Sequence, residues 1–598
     1  MPSRIRLLML IIYLGMAVLA GRLVQLQVFQ HGKYATLAQG NHQRTETIPA
    51  LRGRIFDRNG TTLADNRIAV DLYYSGGPVR FERQILEILG LDGLPKVEKG
   101  EEVVLAANLP DEWVPTLAEL SAGQSNLWLE ERIERYYPNP IAGPVIGYVQ
   151  GPTADDLKRG YERGDLVGRA GLEAALEDTL RGRRGLKLVE VDVRGEVIRE
   201  QVLAPPVPGK DVYLTLDLNL QRAAEKALAE GLTDLNAGRD KLHEPHEKVA
   251  KGALVALDPT NGEVLAMATA PAYDPNLFTR RPAPAGEIRA LQTDPAHPLL
   301  NRAVQAYTPG STFKAVTASA LLEKRLVTPS TTYRCLPAIT FGGQVRRNWS
   351  SRDMGPMTVE EALAYSCNTW FYQAVIEAGP TDVIETIAAR ARELGLGKKT
   401  GVELAEKRGL VPDKAWKKER YGEPWYPGET LSVAIGQGAV LATPVQIASM
   451  LGTVAAGGEA HQVHLVRKVG SELKKVNVRQ VKGRYWKTLQ EGLRKTVTEG
   501  TASSRLKDFP VPTAGKTGTA ETPGKKAGYE HAWYMGYGPY PLGKKSDYAP
   551  LVAVAFFENA GEGSRVALPA VKKVMKAYWK VPDKLPEPAK QPEPTKQP

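Results

Sequence analysis

One stretch of this sequence is long and apolar enough to cross a membrane, and its position at the amino terminus sets the topology of everything after it. Leu7 to Gly21 carries no charged side chain, and beyond Arg22 the apolar character resumes with Leu23, Val24, Leu26, Val28 and Phe29. Leu7 to Gly21 alone would rise only about 22 Å as a helix, short of a hydrocarbon core of roughly 30 Å, so a full span needs residues 7–29, with Arg22 snorkelling or facing a membrane partner. A cleaved signal peptide is the competing reading. Arg4 and Arg6 ahead of the apolar run suit both, and Val18-Leu19-Ala20 would serve as a cleavage site. The apolar pattern continues past that site, which favours an uncleaved anchor. Residues 1–6 are then cytoplasmic, and the chain after about residue 30 lies on the outer side of the membrane. No second stretch approaches 18 apolar residues, so a single pass is expected.

The exported part is too long for one compact module, because the chain has 598 residues. The formal charge of +11 is a mild excess that suits an anionic wall polymer, a membrane surface or nucleic acid, and selects none of them. With only Cys335 and Cys367, a disulfide-rich scaffold and a four-cysteine zinc site are both excluded. These two are read as buried thiols rather than a bridge. His531 is far from either in sequence and no ligand spacing recurs, so no metal is expected.

Turn signals divide the exported part. Arg52 to Gly60 reads as a charged strand-like piece ending at Asn59-Gly60, and short strands and turns are expected around it. Gly168-Arg-Ala-Gly-Leu-Glu173 opens a helical run through Leu180. The three prolines between Val202 and Gly209 mark a boundary. After it, Val212 to Leu216 alternates as a strand and Asp217 caps a helix bearing Leu220, Ala224 and Leu228. Gly252 to Leu257 and Val264 to Ala268 flank Asn261-Gly262 as a hairpin, while Leu551 to Phe557 reads as a buried strand followed by a helix with Val571, Val574, Met575 and Tyr578. Residues 585–598 are mostly Pro, Lys, Gln and Glu, a composition expected to be disordered.

Three short motifs carry the chemistry. In Pro309-Gly-Ser-Thr-Phe-Lys314 a helix follows, so Ser311 and Lys314 share a face and the helix start supplies N–H groups near a developing oxyanion. Ser-x-x-Lys alone is weak, since Ser471-Glu-Leu-Lys474 and Ser504-Arg-Leu-Lys507 also fit, and a helix-start serine is the commoner role. Ser366-Cys-Asn368 follows a helical stretch from Thr358 to Tyr365. As an extended turn it would point Ser366 and Asn368 one way and Cys367 another, although Ser and Asn also break helices routinely. Lys516-Thr-Gly-Thr519 has a rival copy at Lys399-Thr-Gly401. The rival follows a helix end, where Lys is ordinary electrostatics. The later copy lies in an extended piece, Ala514 to Ala520, expected to form an edge hairpin in which Gly518 lets another backbone approach and the strand presents a cation and two hydroxyls to a peptide.

The order and spacing of the three, 55 residues from Ser311 to Ser366 and 150 more to Lys516, resemble the penicillin-recognising serine transferases, whose triple signature is well known. The middle motif departs from the common form in having Cys367 where that form has Asp. Arg52 to Gly60, Gly168 to Glu173, Leu216 to Gln221, Ala256 to Ala266, Leu431 to Gly438 and Thr443 to Gln446 are similar to class B penicillin-binding proteins. Trp425-Tyr-Pro-Gly428 leading to Ile435-Gly-Gln-Gly438, with Ser366 to Tyr372, resembles the elongation-type penicillin-binding protein 2.

The resemblance implies an α+β fold: a five-stranded antiparallel sheet with helices on both faces, residues 211–584, on a non-catalytic pedestal, residues 30–210. It implies a peptidoglycan D,D-transpeptidase in which Ser311 attacks a stem peptide and forms an acyl-enzyme that an amine resolves. Lys314 would be the base, Ser366 and Lys516 would relay protons, Asn368 would hold the donor amide, and Thr517 and Thr519, beside Gly518, would bind the terminal carboxylate. The N–H groups of Ser311 and Thr519 would form the oxyanion hole. A neutral Lys314 requires its pKa to fall by about three units, roughly 4 kcal/mol, through burial and the charge of Lys516. No cofactor and no nucleic acid is implied. The implied partners are peptidoglycan stem peptides, a RodA-type polytopic membrane glycosyltransferase and the cell-elongation machinery. A D,D-carboxypeptidase or beta-lactamase, or a non-enzymatic penicillin sensor, shares the triple signature and stays open at this point.

Overall fold

The computed structural model describes residues 3–32, 43–98, 100–162, 164–191, 197–241, 248–522 and 529–582. The tail expected at 585–598 lies outside them. The helix Ser3–Val24 runs into a π-helical turn, Gln25–Phe29, and Leu7–Phe29 is the one stretch among the described residues long and apolar enough to cross a membrane. None of it is buried against the other described residues.

The first exported unit is built on strands that are longer than expected. Thr62–Tyr74 pairs antiparallel with Leu127–Tyr136 over ten residue positions, and Gln43–Ile48, Gly185–Val191 and Val197–Ala204 make a separate three-stranded sheet. The expected helix through Leu180 is instead two short ones, Gly171–Ala175 and Glu177–Leu180. At the break the Arg52 guanidinium takes the Glu173 carbonyl that a continuous helix would use for its own ladder. The strand Val212–Leu214 pairs parallel with Ile55–Phe56 and antiparallel with Val466–Val469, so one sheet crosses from this unit into the next.

The second unit is organised by five fully antiparallel strands: β1 (Gly252–Leu257), β2 (Val264–Ala270), β3 (Ala514–Ala520), β4 (His531–Gly538) and β5 (Leu551–Phe557), in the order β2-β1-β5-β4-β3. β3 is therefore an edge. Strand periodicity explains the two cores. On β5, Val552, Val554 and Phe556 join one cluster, and Leu551, Ala553, Ala555 and Phe557 join the other. The second cluster is closed by α1 (Leu218–Asp240), whose first turn Asp217 caps as expected, and by α6 (Ala567–Trp579). The first cluster is closed by α2 (Lys314–Glu323), α3 (Val359–Ala364), α4 (Asn368–Glu377) and α5 (Pro444–Ala455).

Cys335 and Cys367 form a disulfide, which corrects the expectation of two separate thiols. The fold brings their Cα atoms to 6.0 Å although 32 residues separate them, within the range a bridge needs. Sequence spacing carried no sign of that approach.

The first unit contains a buried ionic cluster. Glu173, fully buried, accepts from Arg52 at 2.6 Å and from Arg135 at 2.8 Å, while Arg52 also reaches Glu177 at 2.7 Å. Burial alone would push the Glu173 carboxyl up, but Arg135 and Arg52 outweigh it and hold it below the ordinary carboxylate range. Removing one member strands the others as uncompensated buried charge. Glu173→Ala is expected to cost about 3–5 kcal/mol, read as a lower denaturant midpoint of the full chain in detergent. Because the folded pKa is depressed, the wild-type contribution is complete above the unfolded value near 4.5 and disappears as pH falls through the folded value. An acid-side stability profile that Glu173→Gln leaves unaltered would contradict this account.

Candidate active site

Ser311 lies in a 3-10 turn, Gly310–Phe313, that leads directly into α2. Two glycine contacts hold this turn. Gly436, in the left-handed region at φ 73°, sits against it so closely that a Cβ there would collide with the Gly310 carbonyl, and the Gly436 carbonyl accepts from the Gly310 N–H at 3.0 Å. On the other side a Cβ at Gly518 would come within 2.9 Å of the Thr312 methyl and 3.0 Å of the Trp533 Cβ. That is the close approach expected of Gly518, and it seats the turn against β3. The Trp533 indole N–H on β4 also donates to the Thr308 carbonyl at 3.0 Å.

Behind the turn, α2 is buried along Lys314–Leu322, and the Lys314 amine is completely enclosed. Its nitrogen is 2.8 Å from the Ser366 carbonyl oxygen, 3.2 Å from Ser366 Oγ and 2.6 Å from Asn368 Oδ1. Lysine and the middle motif thus meet through side chains 52 and 54 residues apart. The segment is not the extended turn expected. α3 ends at Ala364, Ser366 takes a left-handed φ of 55°, and α4 begins at Asn368 with Cys367 as its cap. This reversal still sends Ser366 and Asn368 to Lys314 while Cys367 turns away into the disulfide.

Lys516 lies on β3, also fully buried, with its amine donating to the Thr517 carbonyl at 3.0 Å. It makes no hydrogen bond to Ser366 among the described residues, so the expected relay is not closed in this state. Thr517 Oγ1 pairs with Thr501 Oγ1 at 2.6 Å, and the Thr501 N–H donates to the Ala364 carbonyl at the end of α3. Thr501 and Asn348, whose Oδ1 accepts from the Asn368 N–H at 2.9 Å, were not anticipated, because nothing in their sequence surroundings sets them apart. Ser311 and Thr519 are partly exposed at the mouth, and the Ser311 hydroxyl is free of hydrogen bonds among the described residues. The rival copy differs. Thr400 is occupied by Glu406, which accepts from its N–H at 2.7 Å and its hydroxyl at 2.9 Å.

The electrostatics follow from burial without a carboxylate partner. Burial first, and the Lys516 charge second, hold Lys314 well below the ordinary lysine range. Burial brings Lys516 to about 7. Both effects favour the unprotonated form of the Lys314 amine. A neutral amine has two N–H bonds and one lone pair, and of its three partners only the Ser366 hydroxyl can exchange a proton with it. A nucleophile at a turn, a buried amine biased toward its neutral form and a hydroxyl relay make an acyl-transfer constellation. The edge position of β3 leaves one side of that strand without a strand partner among the described residues, where an extended peptide could pair.

Two family profiles match the chain: the Penicillin-binding Protein dimerisation domain over residues 47–214 and the Penicillin binding protein transpeptidase domain over residues 252–576. The Peptidoglycan D,D-transpeptidase MrdA of Haemophilus influenzae is 31% identical, covering 95% of this chain and 91% of its own. The protein of the same name from Escherichia coli K12 is 31% identical, covering 95% and 92%. A solved chain from a peptidoglycan synthase complex, described for its coordination of polymerization and crosslinking, shares 62% identity at a TM-score of 0.83, covering 98% of this chain and 99% of its own. The PBP2 of Helicobacter pylori, solved in complex with MreC, shares 25% identity at a TM-score of 0.73, covering 90% and 99%.

Two buried lysines oppose folding at neutral pH. The unfolded chain keeps both protonated up to about 10.5, while the folded chain holds Lys516 near 7, so the destabilisation from Lys516 is absent above 10.5 and grows as pH drops toward 7. Lys516→Met is expected to stabilise the protein at pH 7 by a few kcal/mol, with the advantage shrinking toward pH 10.5. Thermal midpoints of both proteins across that range test it. A constant difference, or a less stable variant at pH 7, would be the wrong outcome.

Proposed function

This chain belongs to the penicillin-binding protein transpeptidases, and from that premise we propose how its residues divide the work. The activity is peptidoglycan D,D-transpeptidation in cell-wall elongation. Ser311 is the nucleophile: its Oγ attacks the carbonyl of the penultimate D-alanine of a stem peptide while its proton passes to the neutral Lys314 amine. The terminal D-alanine leaves as an amine that must gain a proton, and Ser366, 3.2 Å from Lys314 Nζ, delivers it. An amine from a neighbouring stem then takes the acyl group by the reverse proton path. Beta-lactams acylate Ser311 by the same first step.

Substrate binding completes the electrostatics. Thr517 and Thr519 hold the terminal carboxylate beside Gly518, and that anion raises the Lys516 pKa from about 7, so the cation forms where it is needed. Asn368 holds the donor amide, and the N–H groups of Ser311 and Thr519 receive the oxyanion, where losing one donor typically costs about 10²–10³ in rate. The observation that carries this reading is the convergence of Lys314, Ser366 and Asn368 in one buried hydrogen-bonded group directly behind the Ser311 turn.

Residues 7–29 anchor the chain in a single pass with residues 1–6 cytoplasmic, the pedestal spans 30–210 and the catalytic unit 211–584. The Cys335–Cys367 bridge supports export, since such bonds persist in oxidising compartments. Glycan polymerisation belongs to a partner, a RodA-type polytopic glycosyltransferase. The solved peptidoglycan synthase complex and the MreC complex of its relatives support an assembly of this kind.

A fluorescent penicillin applied to the full chain in detergent tests the assignment. Ser311→Ala is expected to abolish labelling. Lys314→Ala should lower the second-order acylation constant by about 10²–10⁴. Undiminished labelling of Ser311→Ala would refute the nucleophile. A crosslinking assay on nascent glycan with its polymerase then separates transfer to an amine from hydrolysis.

A further inference from the structure

Cys367 stands between the two residues whose side chains contact Lys314, and its sulfur is the covalent end of a segment that wraps behind them. From Cys335 the chain passes through the hairpin Ala338–Phe341 and Gln344–Arg347 and returns along Gly355. Hydrogen bonds close that excursion on itself: the Cys335 N–H donates to the Gly355 carbonyl at 2.7 Å and the Met354 N–H to the Cys335 carbonyl at 3.0 Å. The hairpin tip residues Gln344, Val345 and Arg347 are exposed, while Ile339, Phe341 and Met354 pack half-buried against the core. Both sulfurs, by contrast, are fully buried.

Arg346 of the hairpin reaches Ser432 and the Gly428 carbonyl, but most of the excursion's side-chain hydrogen bonds fall on the Ser366–Asn368 turn or its immediate flanks. Asn348 bridges the two cysteine neighbourhoods: its Nδ2 donates to Cys335 Sγ at 3.4 Å and its Oδ1 accepts from the Asn368 N–H at 2.9 Å. The Asn368 amide donates to the Arg347 carbonyl at 3.4 Å while its oxygen faces Lys314, so the hairpin fixes which way that amide points. Thr369 Oγ1 donates to the Leu336 carbonyl at 2.8 Å, and the Trp349 indole donates to the Tyr365 carbonyl at 3.0 Å. The held turn is also one the backbone resists, because Ser366 sits at φ 55°, a region non-glycine residues seldom occupy and keep only where the surroundings over-determine it.

We propose that the Cys335–Cys367 disulfide, acting with Asn348, is a positioning clamp that holds Ser366 and Asn368 in register with Lys314, so that its loss slows the acylation step itself rather than substrate binding. The inference rests on Ser311 being the acylated residue. Cys335, Cys367 and Asn348 are positioning residues, since none touches Lys314. A bond that only stabilised the fold would change the melting temperature and leave the rate constant of each folded molecule alone. A clamp changes that rate constant, because small displacements of a relay group are costly in a preorganised site.

The test uses the full chain in detergent. First, the denatured protein is alkylated with iodoacetamide with and without dithiothreitol, a dithiol that passes two electrons and two protons to the bond and becomes a cyclic disulfide. Two carbamidomethyl groups should appear by intact mass only after reduction, and their appearance before it would overturn the proposal. Second, acylation by a fluorescent penicillin is followed over a concentration series to separate the limiting rate k2 from the pre-acylation constant K. Cys335→Ala is expected to lower k2 by about tenfold with K within about threefold. Asn348→Ala, which leaves both cysteines in place, is expected to lower k2 in the same direction, so the proposal is testable even if the cysteine variant unfolds. Cys335→Ser, a near-isostere that cannot bridge, is expected to show the same lowered k2. If the wild type labels through Ser311 and both variants keep the wild-type k2, the clamp is wrong and the nucleophile stands. If Ser311→Ala still labels, the nucleophile assignment itself fails, and the clamp with it.

Discussion

The enclosure of the Lys314 amine without a carboxylate is the constraint from which the rest of the site follows. Its neighbours are a carbonyl, a hydroxyl and an amide oxygen, and the nearest formal charge that acts on it is another lysine. In that setting the charged form is penalised by desolvation and by repulsion together, and both favour the neutral state that proton abstraction requires. A carboxylate at the same distance would reverse the sign and leave a permanently protonated lysine, useless as a base. The two lysines are thus stability spent for chemistry, and the surrounding structure must supply the order that they do not.

That order comes from elements that are rigid for independent reasons. α2 is buried along nearly its whole length, so Lys314 projects from a helix with no freedom to tilt. The Ser311 turn is wedged between Gly436 and Gly518, where side chains would not fit. α3 is fixed at its start by the Thr358–Glu361 capping box and at its end by Thr501, which in turn pairs with Thr517 on β3. The three motifs are therefore tied to one another through groups that belong to none of them. A substitution at Thr501 would be felt at the strand that faces the substrate and at the turn that faces the base.

Much of this was legible in the sequence, and what was not has a physical reason. The strands 514–520 and 551–557, the Asp217 cap and the apolar span 7–29 were readable because each is a local pattern: alternation, a capping side chain, an unbroken apolar run. The break at Leu176 was not, because it depends on Arg52, more than a hundred residues away, taking a helix carbonyl. The Cys335–Cys367 bond escaped for the same kind of reason, since pairing depends on the course of the intervening 32 residues and not on spacing. At the site, the motif residues were visible as chemistry. Asn348 and Thr501 were not, since an asparagine beside a tryptophan and a threonine after a glycine have no distinguishing neighbours until the fold gives them partners.

The joint between the two exported units shows why a boundary near residue 210 is a change of role more than a point of separation. Val212–Leu214 lies between Ile55–Phe56 on one side and Val466–Val469 on the other, so backbone hydrogen bonds run without interruption from one unit to the next. Asp57 reinforces the joint from the pedestal side: its carboxylate accepts from the Leu218 N–H at 3.2 Å, in the first turn of α1, and Arg58 pairs with Glu263 at 3.0 Å. α1 packs on the sheet that carries β3. A chain cut at 210 would expose the edge of Val212–Leu214 and leave part of the α1 amino terminus unsatisfied, and both defects would lie at the base of the catalytic sheet. The run Arg52 to Gly60 is thus part of the catalytic unit's foundation even though it lies more than 150 residues before that unit begins.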